Sequence, residues 1–187
     1  VCVSLMFTCS ILGMDFVQFG PKGHQITDGG LQVGDDKIDL LAIGKANCEK
    51  SGGTITISDD IESIKGADFV YTDVWYGLYD AQVDGVSYMD VFYPKYQVTM
   101  DLMNFAGPNS KFMHCLPAHR GEEITDAVMA DPARSRCWLE ADNRKHSIRA
   151  PLAAFGKRTP LEDEGIEYSA KEELHAAIAK IDALQAE

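Results

Sequence analysis

The chain is short of positive charge. Lys and Arg number 17 against 29 Asp and Glu, giving a net charge of −12. That balance argues against nucleic acid, because a phosphate backbone is held by clustered Lys and Arg. A local cluster can still oppose the total, so an anionic small molecule stays open as a ligand. Long hydrophobic runs are also missing. The apolar opening VCVSLMFTCSIL covers about 12 residues, and a spanning helix needs about 20, so no membrane partner is expected. It has neither a basic leader nor a cleavage signature, so it reads as a buried helix ending at Gly13. Its abrupt start, without an initiator Met, reads as a chain cut from something longer. Paired cysteines are absent too. Cys2, Cys9, Cys48, Cys115 and Cys137 make an odd set with no CxxC, which argues against a disulfide framework and for a reducing, cytoplasmic setting. No GxGxxG follows a strand and no P-loop occurs, so no cofactor is expected. Zinc through His114, Cys115 and His119 lacks a ligand spacing, and no metal is expected.

What is present is an alternation of strand and helix signals. The 187 residues suffice for a well-buried domain with an extension. MDFVQF (14–19) reads as a strand, and residues 20–34, with five glycines, as a loop. DDKIDLLAIGKANCEKSGG (35–53) reads as a helix stopped by two glycines. TITIS (54–58) is a β-branched strand, DDIESIKG (59–66) a short helix, and ADFVYTDVW (67–75) a strand running into a loop. YPKYQVTMDLMNFAG (93–107) predicts a helix starting near Pro94, where proline fits the first turn. KFMHC is a strand, TDAVMAD a short helix and SRCWLEA (135–141) a strand. NRKHSIRAPLAAFG (143–156) predicts a helix kinked or ended by Pro151. The pattern implies an α/β fold, a doubly wound, Rossmann-like parallel sheet with helices on both faces. Residues 1–158 form the expected domain and 159–168 a linker. The capping box Ser169/Glu172 then opens a C-terminal extension helix, which either lies on its own domain or grips a neighbouring subunit.

Parallel sheets deliver functional groups beyond the carboxyl ends of their strands. Asp73 follows ADFVYT, His114 and Cys115 end KFMHC, and Glu140, Asp142, Asn143 and Arg144 follow SRCWL. Each has a plain reading alone. Cys115 can be a small buried hydrophobe, Asp73 a turn cap, Arg144 and Glu140 an ion pair, and HRGEE a solvated loop.

Together, FMHCLPAHRGEEITDAVM, ADFVYTDVW, YPKYQV and EADNRKHSIRA resemble the carbamoyltransferases that act on amines, the ornithine and putrescine transcarbamylases. The resemblance covers nearly the whole chain, and matches the second, amine-binding half of such an enzyme. It implies transfer of a carbamoyl group from carbamoyl phosphate to a primary amine. Cys115 and Leu116 would border the carbamoyl group, with Pro117 holding their carbonyls in place and His114 beside them. Arg144 would contact carbamoyl phosphate, Asp73 would orient the amine, and Cys115 would help the amine lose its proton.

The resemblance also bears on the amine. Ornithine enzymes carry Ser-Met-Gly where this chain, after Asp73 and Trp75, reads Gly77-Leu78-Tyr79. Gly77 supplies no hydroxyl and Leu78 reshapes the loop, so a substrate lacking the amino-acid head group, putrescine, is preferred over ornithine. An unpaired carboxylate would be costly in such a pocket. The phosphate-cradling Ser-Thr-Arg-Thr loop and the His-Pro-Gln segment of the family's first half are absent. The chain alone is therefore expected to be inactive, without its carbamoyl-phosphate domain, and the full-length protein a homotrimer. The rival reading is a non-catalytic module kept for assembly or ligand sensing.

Overall fold

The structure, a computed structural model, describes residues 1–26, 31–33, 36–76 and 87–155. The backbone divides into two units, residues 1–140 and 141–187.

The first unit opens with α1 (Cys2–Ile11) and β1 (Phe16–Phe19). Of α1, Met6 and Ser10, one turn apart, are fully buried, while Ile11 is 63% exposed. The helix is therefore seated by one edge rather than enclosed. A small hairpin follows, β2 (Leu31–Val33) paired antiparallel with β3 (Asp36–Ile38). These strands were expected as loop and helix. The helical spacing begins only at α2 (Leu40–Ser51), where the Asp39 side chain accepts from the Ala42 N–H at 2.9 Å. Gly52, at φ +87°, closes α2 by donating to the Cys48 carbonyl. Gly44 faces inward, and a Cβ there would lie 2.8 Å from Ile55 Cδ1 and 3.2 Å from Met6 Cε. Its missing side chain lets α1 and the next strand approach α2.

That strand is β4 (Ile55–Ser58), parallel to β1 with Phe16 opposite Ile55. A single 3-10 turn (Ile61–Ile64) leads to β5 (Phe69–Thr72). Next come α3 (Tyr88–Phe92) and α4 (Met100–Ala106). The helix expected from Pro94 does not form. Residues 93–97 are turn, and α4 waits for Thr99, whose hydroxyl accepts from the Leu102 N–H at 3.1 Å. A side-chain cap outweighs proline's weak preference for a first turn. At the far end the Arg134 guanidinium donates to the Met103 and Gly107 carbonyls at 2.9 and 3.0 Å. It thereby satisfies carbonyls that a helix terminus leaves open.

β6 (Lys111–His114) pairs parallel with β5, Thr72 opposite His114, and α5 (Asp126–Ala130) comes after it. The strand expected over 135–141 is not formed. Ser135 makes only an isolated bridge to Phe112, and α6 (Cys137–Phe155) begins two residues later. Trp138 and Leu139, whose apolar character suggested a strand, are more than 60% exposed. α6 also runs through Pro151, which was expected to kink or stop it. Among the described residues, both strand pairs other than the hairpin are parallel. The α/β class is as the alternating pattern implied. The core of the first unit centres on Phe112, Met103, Ile124, Val128 and Cys137. No described helix is long and apolar enough to cross a membrane. The expected C-terminal helix lies outside the described residues.

Candidate active site

The pairing of β5 with β6 decides which side chains meet. Side chains alternate along a strand. Tyr71 and Asp73 therefore share a face, as do Met113 and Cys115 on the partner strand, with Tyr71 opposite Met113. Phe112 and His114 take the other face and are buried. The register carries Asp73 and Cys115 off the strand ends side by side, with Tyr71 on the same face two residues before Asp73.

Burial, first, and then the Asp73 carboxylate push the Cys115 thiol up to about 12. A neighbouring anion disfavours a second negative charge, and low polarity does the same. Cys115 is therefore a thiol at neutral pH. The Tyr71 hydroxyl is also pushed up, by burial and by the Glu140 carboxylate that accepts its proton at 2.7 Å. The other Glu140 oxygen accepts the His114 N–H at 3.1 Å. One carboxylate thus ties β5, β6 and the first turn of α6 together.

His114 is fully buried and turned from Cys115 to Glu123. Its Nε2 lies 3.1 Å from Glu123 Oε1, and both side chains are without solvent exposure. Nδ1 accepts the Leu116 N–H at 2.9 Å. A ring nitrogen that accepts carries no proton, so the proton sits on Nε2 and is donated to the carboxylate. Leu116 has φ +58°, a left-handed conformation that costs a branched residue about 1–2 kcal/mol. The bond from its N–H to the His114 ring holds it there. His114 therefore reaches the loop through the Leu116 backbone. The Leu116–Pro117 bond is cis. Further on, Glu123 Oε1 accepts the His119 N–H at 2.6 Å, and buried Gln97 donates to the carbonyls of Gly121 and Glu122. Loop 115–123 is thus pinned from both ends.

Trp75 stacks on Phe92 with ring centroids 5.5 Å apart, and Tyr76 lies beside Tyr88 and His119 at 5.9 and 5.8 Å. Gly77 and Leu78 fall outside the described residues. Arg144 is exposed on α6 and belongs to the second unit. His114 and Cys115, weighed with His119 as zinc ligands, point to opposite sides of β6. Among the described residues one group has metal-like proximity, His119, Glu122 and Glu123, with one donor atom of each within 4.8 Å of the others. His119 Nδ1 and Glu122 Oε2 lie 3.5 Å apart, and Nδ1 makes no hydrogen bond among the described residues.

Tyr71 and Glu123 escaped the sequence reading. Tyr71 stands two residues before Asp73, and the strand period was the available signal. Glu140 stood out at a strand end, but its partners lie 26 and 69 residues away, and no local pattern announces them.

The thiol and the carboxylate stand at the carboxyl edge of parallel strands, the edge at which α/β domains hold their ligands. The model of one family, aspartate/ornithine carbamoyltransferase, Asp/Orn binding domain, matches residues 1–155. The chain belongs to that family. It is 38% identical over 154 residues to an ornithine carbamoyltransferase of Pyrococcus abyssi, covering 82% of this chain and 44% of that protein. It is 36% identical over 144 residues to a putrescine carbamoyltransferase of Mycoplasma mycoides, covering 77% and 36%. The crystal structure of ornithine carbamoyltransferase from Gloeobacter violaceus superposes with a TM-score of 0.66 at 35% identity, over 82% of this chain and 47% of that one. The chain spans less than half the length of the curated relatives named here.

Proposed function

We propose that this chain supplies the amine site of a carbamoyltransferase, which joins the carbamoyl group of carbamoyl phosphate to a primary amine and releases phosphate. The observation that carries the reading is the Cys115 thiol beside the Asp73 carboxylate, on a loop of the HCLP type.

The amine's proton is the chemical obstacle. An alkyl ammonium with pKa about 10.4 is neutral in roughly one molecule in 2500 at pH 7, a cost of about 4.6 kcal/mol. Asp73 attracts the ammonium. A sulfur whose proton is held up to about 12 binds that proton more tightly than the amine does. At neutral pH the sulfur already carries that proton, so it takes the amine's only by passing its own to the neighbouring Asp73 carboxylate, and the nitrogen is then left with its lone pair for attack on the carbamoyl carbon. As the tetrahedral intermediate forms, negative charge develops on the carbamoyl oxygen and needs facing donors. Arg144 is assigned to carbamoyl phosphate by the resemblance of its EADNR block, and the Cys115 and Leu116 carbonyls to the carbamoyl amide hydrogens. Trp75, Gly77 and Leu78 shape the amine pocket in the same reading, and His114 supports it through Leu116.

Putrescine is the preferred amine, because Gly77-Leu78-Tyr79 replaces the Ser-Met-Gly that serves an amino-acid head group. Ornithine is the alternative, and the similarity of ornithine carbamoyltransferases at 38% identity favours it as much. A cytoplasmic homotrimer completed by a carbamoyl-phosphate-binding half belongs to the same proposal. The test is turnover by the complete gene product with carbamoyl phosphate and each amine, read as phosphate release and as carbamoylated product. Carbamoylputrescine formed at the higher kcat/KM supports the full reading. Citrulline at the higher value overturns the putrescine preference, and no product from either amine overturns the transferase.

A further inference from the structure

We propose that His119, Glu122 and Glu123 form a binding site for a divalent first-row transition-metal ion, at the far end of the loop that begins with Cys115. One donor atom of each lies within 4.8 Å of the others. The local backbone brings them together. The Glu122 N–H donates to the His119 carbonyl at 3.0 Å, across a turn whose third residue, Gly121, has φ +95°. His119 Nδ1 thereby comes to 3.5 Å from Glu122 Oε2. Ligands about 2.1 Å from one tetrahedral metal stand about 3.4 Å from each other, so this edge already has ligand spacing.

Closeness alone does not hold an ion; unmet bonding capacity does. His119 Nδ1 and Glu123 Oε2 are shielded from water and have no hydrogen-bond partner, and the described residues contain one other such side-chain atom, Ser135 Oγ. A buried polar atom without a partner is costly, and an ion or water that meets it removes the cost. Glu123 is fully buried. Its Oε1 accepts His114 Nε2–H at 3.1 Å and the His119 N–H at 2.6 Å, which leaves Oε2 for a ligand. Those two bonds also fix the carboxylate's orientation, the support that metal-binding groups need. A proton on His119 Nδ1 would answer Glu122 and leave Glu123 Oε2 bare. A divalent cation answers the ring nitrogen and both carboxylates, and offsets two like charges set side by side. The neighbouring cation does not compete, because Arg120 is turned to Asp126. His119 and Glu122 are partly exposed, which gives the ion an entrance and room for water ligands. One imidazole with two carboxylates suits Mn²⁺ or Zn²⁺.

The site does not depend on amine transfer, and its test needs no turnover. Mn²⁺ is the probe, because carboxylates and imidazole take it while thiols favour softer metals. Manganese chloride is titrated into the complete gene product near neutral pH, and binding is read as loss of the electron paramagnetic resonance signal of free Mn²⁺. A saturable site is expected whose affinity falls at least about tenfold in His119→Ala and in Glu122→Gln, as when a group supporting a metal site is lost. Cys115→Ala and Glu62→Gln, the latter an exposed carboxylate elsewhere, should bind as wild type does. His119→Ala keeps the backbone N–H that Glu123 accepts. Absence of saturable binding to wild type overturns the proposal, as does binding that both ligand variants leave unaltered. Should a variant fail to fold by circular dichroism, wild type decides by nuclear magnetic resonance. Broadening of the His119 ring signals by sparing Mn²⁺ supports the site, and signals left sharp overturn it.

Discussion

Two pairs of parallel strands in the first unit start alike and end differently. β1 with β4 and β5 with β6 are each four residues by four, apolar, and in simple register. Beyond β1 and β4 the chain runs into Gly20-Pro21 and Asp59-Asp60, and Lys22 pairs with Asp59 at 3.3 Å in the open. There the lysine's hydrogen bond holds Asp59 below the usual carboxylate range. Beyond β5 and β6 the chain runs into Asp73 and Cys115, and a half-buried thiol is pushed up to about 12. Water settles the polar groups at the first edge. At the second edge polar groups settle one another, and that mutual dependence makes chemistry possible. Strand order alone does not make a site; burial of the residues just past the strand ends does.

The contrast can be broken most forcefully at His114. His114→Ala removes the side-chain donor of the buried Glu123 carboxylate and leaves it the His119 N–H alone, which costs about 1–3 kcal/mol. Urea denaturation checks it, and a loss below about 1 kcal/mol would mean the buried pair matters no more than the exposed one. Cys115→Ala comes next. In the complete enzyme it should lower kcat about a hundredfold or more, the range of a lost proton-transfer partner, while Lys22→Ala leaves kcat unchanged. Phosphate release measures both.

A packing change sharpens the comparison from the other side. Gly44→Val pushes a side chain against Ile55 and Met6, so stability falls by about 1–3 kcal/mol, with no change in Cys115 alkylation. The smallest effect is expected at Asp59→Asn, where the denaturation midpoint should not move, because exposed ion pairs contribute little.

Much of this contrast is legible in the sequence. TITIS and ADFVYT are β-branched or aromatic runs, and Asp73 and Cys115 stand just past their strands. The rule that parallel strands deliver their groups at one edge was enough to place the two together. Trp138 and Leu139 misled for a physical reason: they are apolar yet exposed, and an apolar run carries no mark of which side faces water. Pro94 misled because a hydroxyl cap at Thr99 set the helix start instead. The Tyr71–Glu140 bond joins residues 69 apart and depends on the register of β5 against β6 together with where α6 begins. No local pattern contains that information. The turning of His114 away from Cys115 obeys strand alternation and could have been read from KFMHC alone.

The central claim, that the Cys115 thiol and the Asp73 carboxylate face each other at the β5–β6 edge, is tested most directly by the pH dependence of Cys115 alkylation in wild type and in Asp73→Asn. Removing the carboxylate's charge should ease ionisation of the sulfur, so the account predicts faster Cys115 alkylation in the variant at every pH below the midpoint, with the curve displaced about one unit to lower pH. Superimposable curves, with the fold intact, would contradict it.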